Sequence, residues 1–235
     1  MNPLFQIILG YILADFIVGI IHWFEDTYPD YDINIPFFDE IAKANELHHY
    51  FPRTIVGKSY FENIKTNLLL SFVIFVIFVI FVIFFSKSLL AYPFFYASFF
   101  LFGLFANIIH KWSHMRECEL PGIIVFLQNT GFFCGHQMHR MHHSENNSLN
   151  YCVISSYFNF ILNNIGFWRF LENSIYFITG IQPNRKGKFD DYKEIHTYIH
   201  ENAKMECPDV PTQDEINTLM QTLDEYMRKK RRRLE

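Results

Sequence analysis

Long uncharged runs of apolar residues fill much of the first half of this chain and alternate with polar segments that contain histidine. Residues 68–85 form an 18-residue run and residues 89–109 form a 21-residue run, both free of charged side chains. A helix of roughly 20 apolar residues crosses the hydrocarbon core of a bilayer. Ser86, Lys87 and Ser88 separate the two runs, so the pattern predicts a transmembrane hairpin. Two adjacent runs of this kind disfavour a water-soluble helical core.

The N-terminal residues 3–21 form a third apolar segment, which Asp15 interrupts. The segment lacks a basic leader and a small-residue cleavage site, so we predict a retained helix rather than a signal peptide. Asp15, Gly19, His22 and Asp26 have spacings that place them on one stripe of a helix. A carboxylate inside a membrane helix is costly and usually functional. We therefore predict that Asp15 or Asp26 accepts the ring N–H of a metal-binding histidine and fixes its tautomer.

Histidine is concentrated in four segments of the chain. The eight candidate ligands are His22, His48, His49, His110, His114, His139, His142 and His143. Residues three and four apart share a helix face, and imidazole is the commonest metal ligand near neutral pH. A single such histidine is usually an ordinary core or surface residue, but two spaced motifs beside apolar spans favour a ligand cluster. Many imidazoles with few carboxylates suit iron, zinc, copper or nickel, and their number suggests two metals, each with an open position.

The order of the spans predicts that all eight histidines lie at one side of the bilayer. His22 ends the first span, His48 precedes the second, and the hairpin returns His110 to the same side. The apolar residues 123–133 are too few to cross and predict a re-entrant or interfacial helix. His139 therefore stays on that side as well. Basic residues concentrate there, which predicts a cytoplasmic face: Lys43, Arg53, Lys58, Lys65, Lys111, Arg116 and Arg140.

The remaining segments complete a prediction of an all-α integral membrane protein. Residues 30–39 are expected to form a loop. Residues 151–181 are expected to form an amphipathic helix in the interface, with a full crossing as the alternative. Residues 183–188 are expected to form a polar linker, and residues 211–233 a solvent-exposed helix. The predicted fold has about 3–4 transmembrane helices plus interfacial helices, and it carries a His-rich dimetal site at its cytoplasmic face.

Two domains follow from this pattern, a membrane domain over residues 1–190 and a soluble polar helical tail over residues 191–235. His196 and His200 have ligand-like spacing in the tail, but nothing apolar or acidic supports a site there, so we expect surface residues. The basic C-terminal run could touch anionic lipid, although a solvated helix end is the stronger expectation.

Charge and cysteine content exclude several other classes of protein. The formal net charge is −4, which disfavours a nucleic-acid-binding protein. The four cysteines form no C-x-x-C pair and no regular framework. They indicate free thiols rather than a disulfide scaffold or a thiolate zinc site.

Three classes of function fit a membrane protein with clustered histidines: a dimetal enzyme acting on lipid with O₂, a haem electron carrier, and a metal transporter. Haem needs facing histidine pairs inside a bundle, whereas these histidines lie at helix ends. A transport path needs polar residues through the spans, and the second and third spans have almost none. The pattern favours the enzyme.

Several motifs, in matching order over roughly residues 11–190, resemble the plasmanylethanolamine desaturases and their relatives, the plastid palmitate desaturases. The motifs are Asp15-Phe16-x-x-Gly19-x-x-His22-Trp23-x-x-Asp26-Thr27, Glu46-x-His48-His49, His110-Lys-Trp-Ser-His114, His139-x-x-His142-His143, Tyr151-Cys152 and Gly166-Phe167-Trp168-Arg169-x-Leu171-Glu172. The resemblance covers the eight candidate histidines and leaves out His136, His196 and His200.

This resemblance implies a membrane enzyme that forms the vinyl-ether bond of plasmalogens in the 1-O-alkyl chain of an ether phospholipid. It also implies two iron ions bound by the eight histidines, O₂ as co-substrate, a cytochrome b5-type electron donor and a location in the endoplasmic reticulum. Because desaturases and hydroxylases share the histidine pattern, an acyl-lipid desaturase or hydroxylase remains the alternative. Arg53, Lys58 and Arg169 are candidates for binding the lipid phosphate, with ordinary interfacial snorkelling as the competing interpretation.

Overall fold

The computed structural model describes residues 2–28, 36–85, 91–144, 148–183, 189–203 and 209–232. Within these ranges the fold is all-helical and contains no β-strand, as the sequence predicts. The α-helices of the described residues are α1 (Pro3–Thr27), α2 (Pro36–Tyr50), α3 (Thr54–Gly57), α4 (Tyr60–Phe85), α5 (Pro93–His114), α6 (Gly122–Asn129), α7 (His136–Ser144), α8 (Tyr157–Asn164), α9 (Phe167–Thr179), α10 (Phe189–Ala203) and α11 (Gln213–Arg232).

Two helices of the described chain, α1 and α5, are long and apolar enough to cross a membrane. The sequence predicts 3–4 crossings. In α4 the apolar stretch identified among the described residues is the shorter Ser71–Ile80, so a third crossing stays a prediction. The expected polar tip at residues 86–88 lies outside the described residues.

The helices α1 and α5 pack closely because small residues line their contact. A Cβ added to Gly10 would lie 2.4 Å from the backbone oxygen of Phe95, so a larger residue there would push the helices apart. Beside this contact the Ser98 hydroxyl donates a hydrogen bond to the Ile7 carbonyl over 2.8 Å. The helix α4 also packs against α5, so α5 lies in contact with both α1 and α4. This packing holds the C-terminal ends of α1 and α5 side by side.

The region after α7 differs from the single amphipathic helix expected over residues 151–181. Residues 148–156 are non-helical, and two helices follow, α8 and α9. Gly166 separates them with a φ of 67°, a left-handed conformation that glycine adopts at little cost. The amphipathic character itself is present in α9, which buries Trp168 and leaves Phe177 and Ile178 exposed.

The loop predicted over residues 30–39 is shorter than expected at its C-terminal end, because α2 already begins at Pro36. Proline suits the first turn of a helix, where its missing N–H has no intrahelical partner. Residues 29–35 lie outside the described residues. The helix α2 then runs to Tyr50 and carries His48 and His49 in its last turn.

The C-terminal tail is not the solvent-exposed helix that its polar composition suggests. It forms a helical pair, α10 and α11, whose apolar faces bury Ile195, Leu219 and Leu223 against Leu47 and Tyr50 of α2. A Lys43–Asp224 ion pair of 2.9 Å flanks this core. The sequence pattern shows an amphipathic face in α11, but only the fold shows that α2 covers it. Most of the expected linker over residues 183–188 lies outside the described residues.

Candidate metal centre

Eight histidine rings from α1, α2, α5 and α7 meet at one place in the fold. Their ring centroids lie 4.4–6.5 Å apart in many pairs, and the rings of His22 and His142, which are far apart in sequence, are 4.8 Å apart. The members are the predicted set: His22, His48, His49, His110, His114, His139, His142 and His143. The structure therefore brings together all eight side chains that the sequence singles out.

Five of these histidines form a first group, in which one ligand atom of each lies within 4.8 Å of all the others: His48, His110, His114, His139 and His143. The Nε2 of His139 is 2.8 Å from the Nε2 of His110 and 3.2 Å from that of His143. The Nε2 of His114 is 3.2 Å from that of His110. Both ring nitrogens of His48 are buried with no hydrogen-bond partner among the described residues. This is a cage of converging ring nitrogens.

A second group contains three histidines and a carboxylate, again with ligand atoms within 4.8 Å of one another: His22, Asp26, His49 and His142. Oδ1 of Asp26 accepts hydrogen bonds from Asn45 Nδ2 at 2.7 Å and from His49 Nε2 at 2.8 Å. Oδ2 of Asp26 lies 3.1 Å from His142 Nε2 and 3.5 Å from His22 Nε2, and makes no hydrogen bond among the described residues. Asp26 thus sits among the candidate ligand atoms, in addition to contacting His49 as predicted.

Backbone carbonyls fix the tautomers of two rings in the second group. His22 Nδ1 is 2.9 Å from the carbonyl oxygen of Tyr151, and His142 Nδ1 is 2.7 Å from that of Leu149. A carbonyl accepts but does not donate, so each Nδ1 carries the proton and each neutral ring presents a lone pair at Nε2. Both lone pairs face Oδ2 of Asp26, an arrangement that a cation between the three atoms stabilises.

The segment that supplies these carbonyls is held in place by Asp15. The Asp15 carboxylate accepts the backbone N–H of Ile154 at 3.0 Å and the hydroxyl of Ser155 at 2.5 Å. Gly19, one helical turn later, lets this segment approach α1, because a Cβ there would lie 2.7 Å from Cys152 Sγ. The sequence predicts that Asp15 or Asp26 accepts a histidine N–H, and Asp26 is the one that contacts a ring. In the described structure both oxygens of Asp15 bind the 154–155 segment instead, so Asp15 acts on the rings through the backbone.

Burial keeps three rings of the cluster uncharged. Burial away from water lowers the pKa of His48, His139 and His143 well below the ordinary value, and the neighbouring imidazoles lower it further. These three rings are therefore neutral at pH 7. Neutral imidazole is the form that binds metal, because a proton competes for the same lone pair.

Two histidines outside the expected pattern, His136 and His196, also lie outside the cluster. His136 is exposed at the start of α7 and donates from Nδ1 to the carbonyl of Ser113 at 2.9 Å. His196 was expected at the surface, but its ring is part-buried 4.4 Å from that of Phe51, with its Nε2 3.2 Å from the Tyr50 carbonyl. The packing of α10 on α2 explains this burial. The side chain of His200 lies outside the described residues.

Arg53 is engaged with the protein rather than open towards a lipid phosphate. Its guanidinium donates to the carbonyl of His114 at 3.1 Å and to both carboxylate oxygens of Glu119. It also donates to the Asp209 carbonyl at 2.9 Å. The hydrogen bonds from Arg53 lower the pKa of the Glu119 carboxyl below its ordinary value. Arg53 therefore ties the end of α5 to the residues before α11, and the predicted lipid role is disfavoured for it.

The other two cations considered for lipid binding differ in their positions. Arg169 is exposed and donates to Glu172 at 3.1 Å, one turn further along α9. Lys58 lines a cavity that reaches the histidine cluster. Lys58 is thus the one of the three that the structure places beside the candidate site.

A cavity of about 200 Å³ opens beside the cluster between α1, α2, α4 and α5. His22, His48 and His110 form its wall on the cluster side, and Asn45 and Asn63 add amide groups nearby. The rings of both ligand groups therefore border a space from which a molecule could reach them.

A pair of metal ions fits these residues on the chemistry of the donors alone. Nε2 atoms of the first group approach one another to 2.8–3.2 Å in three pairs, and Nε2 atoms of the second group face the oxygens of Asp26. Imidazole with one carboxylate is a donor set suited to iron, zinc, copper or nickel. Without a cation the buried Nε2 atoms of His22 and His142 and both ring nitrogens of His48 have no hydrogen-bond partner among the described residues, which is costly.

Comparisons with known proteins agree with the motifs. The lipid desaturase domain matches residues 11–186. A protein named probable fatty acid desaturase, from Acanthamoeba polyphaga mimivirus, is 34% identical over 77% of this chain and 86% of its own length. Plasmanylethanolamine desaturase 1 of Mus musculus is 31% identical over 80% of this chain and 68% of its own length.

A chloroplastic relative also matches this chain, whereas no solved structure does. Fatty acid desaturase 4 of Arabidopsis thaliana is 30% identical over 74% of this chain, which covers only 52% of that relative. The helical pair α10–α11 follows the last residue of the domain match.

Proposed function

The chain belongs to the lipid desaturase domain family, and from this membership we propose that it forms the vinyl-ether double bond in the 1-O-alkyl chain of ether phospholipids. The family makes it an oxidoreductase that desaturates lipid. The observation that carries the dimetal proposal is the convergence of two ligand groups, one of five histidines and one of three histidines with Asp26. Relatives from Mus musculus and Myxococcus xanthus that are named plasmanylethanolamine desaturases support the choice of substrate.

Each ligand group would hold one iron ion in this proposal. When bound, the two ions supply the redox chemistry that couples reduction of O₂ to removal of two hydrogens from a hydrocarbon chain. The lone pairs of His22 and His142 at Nε2 would serve one ion, with Oδ2 of Asp26. The five-histidine group would serve the other. Electrons would come from a cytochrome b5-type donor.

The residues of the chain itself bind, orient and exclude water. The carbonyls of Leu149 and Tyr151 hold two rings in one tautomer, so the donors need little rearrangement to bind metal. Asp15 fixes the segment that carries those carbonyls. Burial of the cluster excludes water, which protects a reactive site from side reactions. Lys58, at the cavity beside the rings, is our candidate for binding the lipid phosphate.

The proposed setting is the membrane of the endoplasmic reticulum, with the cluster at its cytoplasmic face. The apolar helices α1 and α5 both end at the cluster, which places it at a membrane surface if they span the bilayer. The exposed apolar face of α9 suits the interface between headgroups and acyl chains. A lipid substrate would then reach the site without leaving the membrane.

An acyl-lipid desaturase is the second candidate, because relatives from mimivirus and Arabidopsis thaliana are named fatty acid desaturases. The two reactions use the same donors and differ in which chain lies at the metals. The ring geometry alone favours neither.

Lipid analysis of cells that express the chain separates these candidates. We expect cells that lack an ether-lipid desaturase, supplied with an alkylglycerol, to accumulate acid-labile vinyl-ether phospholipids when they express the chain. Mass spectrometry with and without acid treatment measures the product, and cells expressing the His142→Gln variant provide the baseline. New double bonds confined to acyl chains would establish the second candidate. A hydroxylated chain would contradict both.

A further inference from the structure

Two adjoining cavities of the structure, together called the slot, lead away from the histidine cluster. The first, of about 200 Å³, borders His22, His48 and His110, and the second, of about 30 Å³, lies between the apolar helices. The two adjoin, because they share four lining residues: Val18, Ile21, Ser71 and Gly103. The slot lies between α1 and α4, each of which packs against α5.

The chemistry of the lining changes along the slot. At the cluster end it contains charged and amide side chains, including Lys58 and Asn63. At the far end it contains Ile17, Ile74 and Phe99. A polar end followed by an apolar end matches an amphiphile whose headgroup stays near the cluster while its hydrocarbon chain continues between the helices. Water or a soluble polar ligand would gain nothing from the apolar end.

Gly103 is the position on α5 that leaves the slot open. Gly103, Asn107 and His110 follow one another at helical spacing, all three line the slot, and Gly103 lies two turns from His110, about 10 Å along the axis. A Cβ added at Gly103 would meet no atom within 4 Å. Gly10 of α1 differs, because its missing side chain is filled by the backbone of Phe95. The missing side chain at Gly103 therefore leaves the cavity open, whereas the missing side chain at Gly10 allows two helices to pack closely.

We propose that this slot binds the hydrocarbon chain that the enzyme desaturates, and that Gly103 determines how long a chain fits. This inference rests on the proposed function, since it takes a lipid chain as substrate. The reacting carbons lie beside His22, His48 and His110, and the remainder of the chain passes Gly103 towards Phe99. A larger side chain at position 103 blocks the path two helical turns from the cluster. Long chains are then excluded while short ones still reach the rings.

The test compares chain lengths in the purified protein, reconstituted in phosphatidylcholine vesicles and supplied with O₂ and a cytochrome b5-type electron donor. We expect Gly103→Leu to lower vinyl-ether formation from a hexadecyl ether lipid about tenfold or more, and to leave that from a hexyl ether lipid within about twofold of wild type. Gly103→Ala should give a smaller change in the same direction. Gly122→Leu is the matched control, because a Cβ at Gly122 also meets no atom within 4 Å and Gly122 is not among the residues lining the slot. Equal loss for both chain lengths in Gly103→Leu would overturn the inference.

A binding readout keeps this inference separate from the proposed reaction. An ether lipid with a diazirine midway along its alkyl chain is photolysed in the same vesicles, and the labelled residues are found by mass spectrometry. We expect adducts on Ile74, Phe99 and Phe100 in wild type and their loss in Gly103→Leu. Adducts in the slot without vinyl-ether formation would support chain binding in the slot and refute the proposed reaction. Adducts only on exposed residues such as Phe72 would refute the slot.

Discussion

Replacing His139 or His142 with glutamine is expected to abolish lipid desaturation and to remove metal from the purified protein. His139 Nε2 lies 2.8 and 3.2 Å from the Nε2 atoms of His110 and His143, so it is central to the five-histidine group. His142 belongs to the second group, which has only four ligand atoms. Loss of residues that merely support metal ligands lowers affinity or activity 10–100-fold, so loss of a ligand should lower activity by more than about 100-fold. Product analysis and metal analysis of the same preparation provide the measurement.

The control for these variants is on the same helix. His136→Gln changes a histidine of α7 that is exposed and bonded to the Ser113 carbonyl, outside both groups. We expect it to keep wild-type metal content and at least about half of the activity, since isolated surface substitutions have small effects. If His139→Gln and His142→Gln retained full metal content and activity, the ligand assignment would be wrong. An equal loss in His136→Gln would point to damage of the fold instead.

Replacing Asp26 with asparagine is expected to lower metal content and to lower activity by more than about 100-fold, as for the histidine ligands, while the protein still inserts in membranes. Asp26 Oδ2 lies 3.1 Å from His142 Nε2 and 3.5 Å from His22 Nε2. Asparagine keeps the size of the side chain but removes its negative charge, and in one orientation its amide directs hydrogens at the ring nitrogens. Both changes disfavour a bound cation. Metal analysis and turnover at saturating lipid measure the loss.

Asp224→Asn is the matched carboxylate variant, because Asp224 forms part-exposed ion pairs with Lys43 and Arg228. Such pairs contribute about 0–1 kcal/mol, so this variant should keep its metals. If Asp26→Asn had wild-type metal content, Asp26 would serve only to orient His49. The two variants together separate a role in metal binding from a general effect of removing a carboxylate.

The histidine cluster was largely predictable from the sequence. The spacing of His110 with His114, and of His139 with His142 and His143, identifies helical faces without any structure. The order of apolar runs then predicts that these faces meet at one side, and the rings do meet. Motif order also led to the correct family.

The features that the sequence did not reveal depend on tertiary contacts. The carbonyls of Leu149 and Tyr151 orient His142 and His22. Every residue has a backbone carbonyl, so the residue types do not show which carbonyls make these contacts. Asp15 lay on the expected stripe, yet its partner is a segment about 140 residues away. These contacts require the folded chain, because neither spacing nor composition encodes which distant segment will cover a helix.

The helical pair α10–α11 is a second example of a tertiary contact that the sequence did not reveal. The composition of α11 is polar, so a solvated helix was the natural expectation. Ile216 and Leu223 nevertheless form a buried face, and Leu47 of α2 covers it one residue before His48. Periodicity shows that a face exists but does not identify the helix that it packs against.

The metal content of the purified wild-type protein tests the central claim most directly. We expect elemental analysis to give about two irons per chain, consistent with one ion in each ligand group. The absorption spectrum should lack the Soret band of haem. A single zinc per chain, or a protein that desaturates lipid while free of metal, would contradict the dimetal site.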